Sequence, residues 1–237
     1  MYIIEGNIGA GKTTFLNIIN EHIPHAHIVD EPLAAWNKEG QGQSLLEHFY
    51  KETKRWAFTM EMFTLMCRIQ EHMREQKKRG QFIVMERSIY SGYYCFARNS
   101  YKQGFMDALE WEILERWFTY LVHGKCKHPN GFIYLKVSTQ TAYERTKVRS
   151  RTEEEGIPLE YFQQIGKQMD EFLIEKKDLL PGLASVPVLE LDCNEDFAHN
   201  KENQKQMVEL VSDFFLQTQP CVTEKKEKIE SRAQESL

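Results

Sequence analysis

No apolar run in this chain approaches the roughly 20 residues needed to span a bilayer, so the sequence predicts no membrane partner. Cysteine is sparse and unpatterned. Cys67, Cys95, Cys126, Cys193 and Cys221 form no CxxC pair and are odd in number, which excludes a disulfide framework or zinc site of that spacing and points to reduced thiols. Positive charge is not in excess: 30 Lys and Arg against 35 Asp and Glu give a net charge of −5. Without a basic stripe, a nucleic-acid polymer is not the expected partner, although a local anion site remains open. There is no internal repeat and no linker-like stretch. The first strand begins at about Tyr2 and leaves no room for a leader, so the expected location is cytoplasmic. The final stretch, "CVTEKKEKIESRAQESL", lacks aromatics and is rich in charge; residues 218–237 are therefore expected to be a disordered tail. With 41% hydrophobic residues, residues 1–217 can bury one sizeable core and are expected to form one domain.

What is present is alternation. "YIIE" (Tyr2 to Glu5), "HIVDE" (His27 to Glu31), "FIVME" (Phe82 to Glu86), "FIYLKV" (Phe132 to Val137) and "VPVLELD" (Val186 to Asp192) read as strands. Most are unbroken apolar runs, the pattern of parallel strands covered on both faces. Helical patterns separate them near residues 12–21, 44–79, 88–103, 107–123, 139–150, 158–180 and 201–217. The fold class predicted is α/β, with a five-stranded parallel sheet flanked by helices. The segment "ALEWEILERWFTYLV" is apolar almost all around its helix. Such a helix either runs through the core or offers one face to another subunit, and the wealth of aromatics favours the second.

Gly6-Asn7-Ile8-Gly9-Ala10-Gly11-Lys12-Thr13 fits GxxxxGK[ST] between the first strand and the first helix. Glycines let backbone N–H groups approach phosphate oxygens without an intervening Cβ. The lysine reaches the outer phosphates, the threonine hydroxyl serves Mg²⁺, and the helix N-terminus favours the anion. The pattern predicts a nucleoside triphosphate site.

An acceptor needs a base beside that triphosphate, and strand ends are where a parallel sheet offers one. Glu31 closes the second strand before Pro32; Glu86 and Arg87 close the third, with Glu86 standing where a Walker-B aspartate would. Farther on, "ERTKVRSRTEEEGIPLEY" gathers Arg145, Lys147, Arg149 and Arg151. These form either a solvated face neutralised by neighbouring glutamates or a lid whose guanidiniums gather transition-state charge.

Together "EGNIGAGKTTF", "EPLAAW", "RWAFTMEMFTLMCRI", "ERSIYSGYYCF", "RSRTEEEGIPLEYF" and "LDCNEDF" resemble the deoxynucleoside kinase family, P-loop kinases that transfer the γ-phosphate of ATP to the 5′-hydroxyl of a deoxynucleoside. The resemblance implies Glu31 as general base and Arg87 beside it. It implies Thr13 and Glu86 at Mg²⁺, and an arginine-rich lid of Arg145, Arg149 and Arg151. Glu154 and Tyr50 would hold the sugar 3′-hydroxyl, while Trp36, Met60 and Phe96 wall the base. Glu195, Asp196 and Phe197 would surround the donor base, and a homodimer would form through helices.

Two positions depart from the family pattern. Many members carry glutamine where this chain has Glu61, and cytidine-preferring ones carry aspartate where it has Gly92. An ionised carboxylate only accepts hydrogen bonds, which suits the N1–H and N2–H₂ edge of guanine. Bacterial purine-deoxynucleoside kinases look similar at "EMF". Arg68, two helical turns on, could instead pair with Glu61. The expectation is a purine acceptor, deoxyguanosine or deoxyadenosine, with deoxycytidine as the alternative. The competing readings are a thymidylate-type nucleoside-monophosphate kinase and a non-catalytic ATP-binding subunit.

Overall fold

The computed structural model describes residues 1–32, 45–78, 82–151, 154 and 156–219. Five parallel strands, β1 (Tyr2–Gly6), β2 (Ala26–Val29), β3 (Phe82–Glu86), β4 (Gly131–Lys136) and β5 (Val188–Asp192), lie in the order β2-β3-β1-β4-β5. At the centre, Ile3 of β1 pairs with Met85 on one side and Phe132 on the other. All five residues of β1 are buried, as a strand covered on both faces requires.

Side-chain alternation sorts the core into two layers. Ile3, Phe132 and Tyr134 face one way. They pack with α3 (Thr53–Glu75), α6 (Ala108–Val122), α8 (Leu159–Leu173) and the helical run after β3. Tyr2, Ile4, Ile133 and Leu135 face the other way, against α1 (Lys12–His22) and α9 (Lys201–Thr218). The chain segments that follow β1 and β3 thus pack on opposite faces. The carboxyl ends of these neighbouring strands open the crevice where such sheets bind ligands.

Several element boundaries differ from the sequence expectation. The predicted helix over 44–79 is two helices, α2 (Leu45–Lys51) and α3, broken at Glu52, whose backbone is not helical (φ −141°, ψ 63°). The stretch predicted as one helix over 88–103 is α4 (Ile89–Ser91), a π-helical segment Gly92–Ala97, and α5 (Arg98–Lys102). A π-helical turn inside a helix is a frequent mark of a functional site. α8 ends at Leu173 rather than near 180, and β2 ends at Val29, so Glu31 stands two residues beyond its strand. The last predicted helix agrees closely with α9, whose N-cap Asn200 accepts from the N–H groups of Glu202 and Asn203. The segment predicted as a tail lies outside the described residues from 220 onward.

α6 is two-faced rather than wrapped in core. Leu114, Phe118 and Val122 are buried, while Leu109, Ile113, Trp117 and Tyr120 are exposed, Leu109 by 65% and Tyr120 by 60%. Asp107 starts the helix with a capping box shared with Glu110.

Candidate active site

Gly6 to Lys12 wrap the end of β1 and lead directly into α1. Two glycines here have no substitute. Gly11 has φ 88°, and a Cβ on it would stand 2.7 Å from the Phe197 ring; Gly9 has φ 75°, and its Cβ would meet the Ala142 carbonyl oxygen at 2.2 Å. The loop is therefore clamped between the segment around Phe197 and α7 (Thr139–Arg149). Asn7 secures it from below, its Nδ2 donating to the Phe162 carbonyl at 2.8 Å. Lys12 is buried and donates its ammonium to the Asn7 carbonyl at 2.8 Å. Burial, followed by the nearby Arg87 charge, lowers Lys12 to about 7. An anion at the loop would reverse that penalty.

Thr13 donates to the Glu86 carboxylate, 3.1 Å from Oε2. A hydroxyl and a carboxylate side by side are the hard oxygen donors magnesium prefers. Among the described residues no group of three or more His, Cys, Asp and Glu side chains could hold a metal by itself. A magnesium ion held by this pair would take its remaining ligands from phosphate oxygens and water, as is usual beside a nucleotide.

Glu31 lies between two guanidiniums. Arg68 Nη2 donates to its Oε1 at 2.6 Å, and Arg87 Nε stands 3.4 Å from its Oε2. Burial raises the Glu31 carboxyl, but Arg87 and Arg68 outweigh it and hold it below the ordinary carboxylate value. Arg87 is buried, its guanidinium carbon 4.8 Å from the centre of the Phe96 ring. Its backbone is left-handed, φ 61°, a conformation costing a residue with a Cβ about 1–2 kcal/mol. Strain of this kind gathers at functional positions.

Two cavities meet here. The larger, about 650 Å³, is bordered by Gly11, Thr14, Arg145, Asp196 and Phe197. The smaller, about 100 Å³, is bordered by Glu31, Tyr50, Met60, Glu61, Phe96 and Glu154. Gly9, Lys12, Thr13, Glu86, Arg149 and Arg151 wall both. A molecule in each would touch at the lysine and the Thr13–Glu86 pair.

Glu61 is buried in the smaller cavity. Its Oε1 accepts from Ser100 Oγ at 3.1 Å. Burial raises it to about 7, with Arg68 and the Ser100 hydroxyl opposing. The alternative pairing of Arg68 with Glu61 is replaced by the Arg68–Glu31 bridge. Gly92 does not border the cavity; it lies behind Arg68, where a Cβ would stand 2.9 Å from Nη1.

The arginine cluster divides. Arg149 Nη2 donates to Glu154 Oε1 at 2.7 Å, and Arg151 Nη1 is 3.7 Å from the same oxygen. Arg145 instead donates to the carbonyls of Cys193 and Glu195 at 2.8 and 2.9 Å, near the Phe197 ring. Glu195 contributes that carbonyl and does not border the larger cavity. Tyr50 is half-buried near Glu154 and Glu61, and burial followed by the Glu154 charge drives its phenol up. Trp36 lies outside the described residues. Tyr161, Phe49 and Thr64 border the smaller cavity without having been singled out in the sequence; only the place of Tyr161 in "GIPLEYF" could have flagged it.

The chain is similar to known proteins along most of its length. A family model described as Deoxynucleoside kinase matches residues 2–216. Deoxycytidine kinase of Homo sapiens is 32% identical over 235 residues, covering 90% of this chain and 89% of the relative. Deoxycytidine kinase 1 of Xenopus laevis is 31% identical with the same coverage. "Thymidine kinase 2, mitochondrial" of Homo sapiens is 32% identical over 213 residues, 90% of this chain and 76% of the relative.

Proposed function

This chain belongs to the deoxynucleoside kinase family and is an ATP-dependent phosphotransferase; from that premise we propose that it phosphorylates the 5′-hydroxyl of a purine deoxynucleoside held in the smaller cavity. The observation that carries the reading is the carboxylate of Glu31, kept ionised by Arg68 and Arg87, in a cavity that shares Lys12, Thr13 and Glu86 with the triphosphate cleft.

In this reading the glycine loop and Lys12 hold the donor's outer phosphates by backbone N–H groups and one ammonium. Thr13 and Glu86 would hold magnesium, which would neutralise charge on the phosphate oxygens. Glu31 accepts the proton of the 5′-hydroxyl as that oxygen attacks, and Arg87 orients both the carboxylate and the moving phosphoryl. Arg149 and Arg151 turn from Glu154 toward the developing charge, freeing Glu154 and Tyr50 for the sugar 3′-hydroxyl. Arg145 and Phe197 flank the donor base. Met60 and Phe96 wall the acceptor base, with Trp36 proposed beside them.

The purine preference rests on Glu61. An ionised carboxylate there accepts from two guanine donors, whereas its neutral form donates as well and admits deoxyadenosine or deoxycytidine. Two further readings follow: residues 1–217 act as one catalytic domain in the cytoplasm, and the exposed apolar face of α6 joins two copies of the chain. The deciding experiment assays the protein with ATP and Mg²⁺ against the four natural deoxynucleosides and their monophosphates, with Lys12→Ala as control. Deoxyguanosine or deoxyadenosine should be phosphorylated fastest, and Lys12→Ala should be inactive. Preference for a monophosphate or a pyrimidine nucleoside would overturn the assignment.

A further inference from the structure

Glu5 has no part in the roles above, yet it is fully buried in the central strand between apolar Ile4 and the glycine loop. Such a position ordinarily takes an apolar residue, because a buried carboxyl needs partners. Its Oε1 accepts a hydrogen bond from Ser88 Oγ at 2.5 Å. The same Ser88 Oγ accepts from the N–H groups of Tyr90 and Ser91 at 3.0 Å each, starting the helical run after β3. Between Glu86 and Ser88 stands Arg87 with its left-handed backbone, its N–H donated to the Ile4 carbonyl at 2.9 Å. Consecutive residues of β1 therefore grip the chain at Arg87 and just beyond it.

We propose that Glu5 is a positioning residue that, through Ser88, keeps Arg87 in the left-handed conformation aiming its guanidinium at Glu31. The proposal rests on the reading of Arg87 given above. A strained conformation persists only where its surroundings over-determine it, and the Ile4 carbonyl by itself does not restrain the residue that follows. Burial raises the Glu5 carboxyl, with the Arg87 charge and the Ser88 hydroxyl opposing, and its role here is to accept the Ser88 hydroxyl through Oε1. Glutamine can replace it in that duty; leucine cannot.

The test measures kcat and both KM values for Glu5→Leu, Glu5→Gln, Ser88→Ala and the Glu5→Leu/Ser88→Ala double variant, with the deoxynucleoside the wild type turns over fastest. Glu5→Leu and Ser88→Ala should each lower kcat about 10–100-fold with KM for ATP and nucleoside within about twofold, the size expected of a misplaced catalytic group. Glu5→Gln should restore near-normal kcat, and the double variant should lose no more than the worse single one, because both act through one bond. Normal kcat in Ser88→Ala, multiplying losses in the double variant, or Glu5→Gln as impaired as Glu5→Leu would overturn the proposal. If Glu5→Leu does not fold, Ser88→Ala and Glu5→Gln decide it alone. Arg87→Ala separates the two levels. An active Arg87→Ala removes the underlying reading and this proposal with it. An inactive one beside fully active Glu5 and Ser88 variants overturns the positioning role only.

Discussion

Arg68 donates to Glu31 at 2.6 Å across 37 residues of sequence, with the two side chains only 8% and 9% exposed. The pair, with Arg87 on the other carboxylate oxygen, keeps Glu31 ionised below the ordinary carboxylate range despite its burial. A base is useful only while ionised, so a depressed value extends activity toward acid.

Removing one guanidinium should reverse part of that depression. In Arg68→Met the acid limb of the kcat/KM profile against pH should move to higher pH, with Arg87 still in place. A limb that stays put would mean that Arg68 does not govern the charge on Glu31.

Glu31→Gln keeps the shape of the side chain and loses its basicity. Turnover should fall about 10²–10⁴-fold, the range for loss of a general base, while nucleoside binding measured by calorimetry persists. Wild-type turnover in this variant would remove Glu31 from the chemistry.

Burial raises the Glu61 carboxyl to about 7. It also faces Tyr50 and Tyr161, whose phenols burial pushes up and keeps neutral through this range, and the Arg68 guanidinium, which opposes the rise. The neutral acid therefore dominates below that value and the carboxylate above it. The kcat/KM ratio of deoxyguanosine to deoxyadenosine should rise between about pH 6 and about pH 8. Glu61→Gln should flatten that rise and admit deoxycytidine or thymidine. A ratio indifferent to both pH and substitution would return Glu61 to a packing role.

Trp117 and Tyr120 are exposed by 48% and 60% on the outer face of α6, away from both cavities. Light scattering should find the wild type dimeric and Trp117→Glu monomeric, because a charge at an apolar contact must be desolvated. A monomeric wild type would sink the assignment of this face.

The parallel strands were legible because each is a short, largely apolar run set between helical patterns, and Gly6 to Thr13 because backbone approach to phosphate tolerates few residue types. The π-helical turn at Gly92–Ala97 was not legible. Helical periodicity barely distinguishes it from an α-helix, and its placement depends on what it packs against. The break at Glu52 escaped for a similar reason: neither side of it carries a glycine or proline to announce it.

By itself the sequence determined the sheet, the phosphate loop and the candidate carboxylates, since all of these depend on local residue type and short-range spacing. Which charge meets which was decided only in three dimensions. Arg68 had Glu61 within two turns of its own helix, yet it reaches Glu31 on the segment after β2, because packing brings α3 across the strand ends. Arg145, Arg149 and Arg151 read as one cluster, and the fold sent the first to the carbonyls near Phe197 and the others to Glu154. Pairing energies fall with distance and grow with burial, and sequence spacing reports neither quantity.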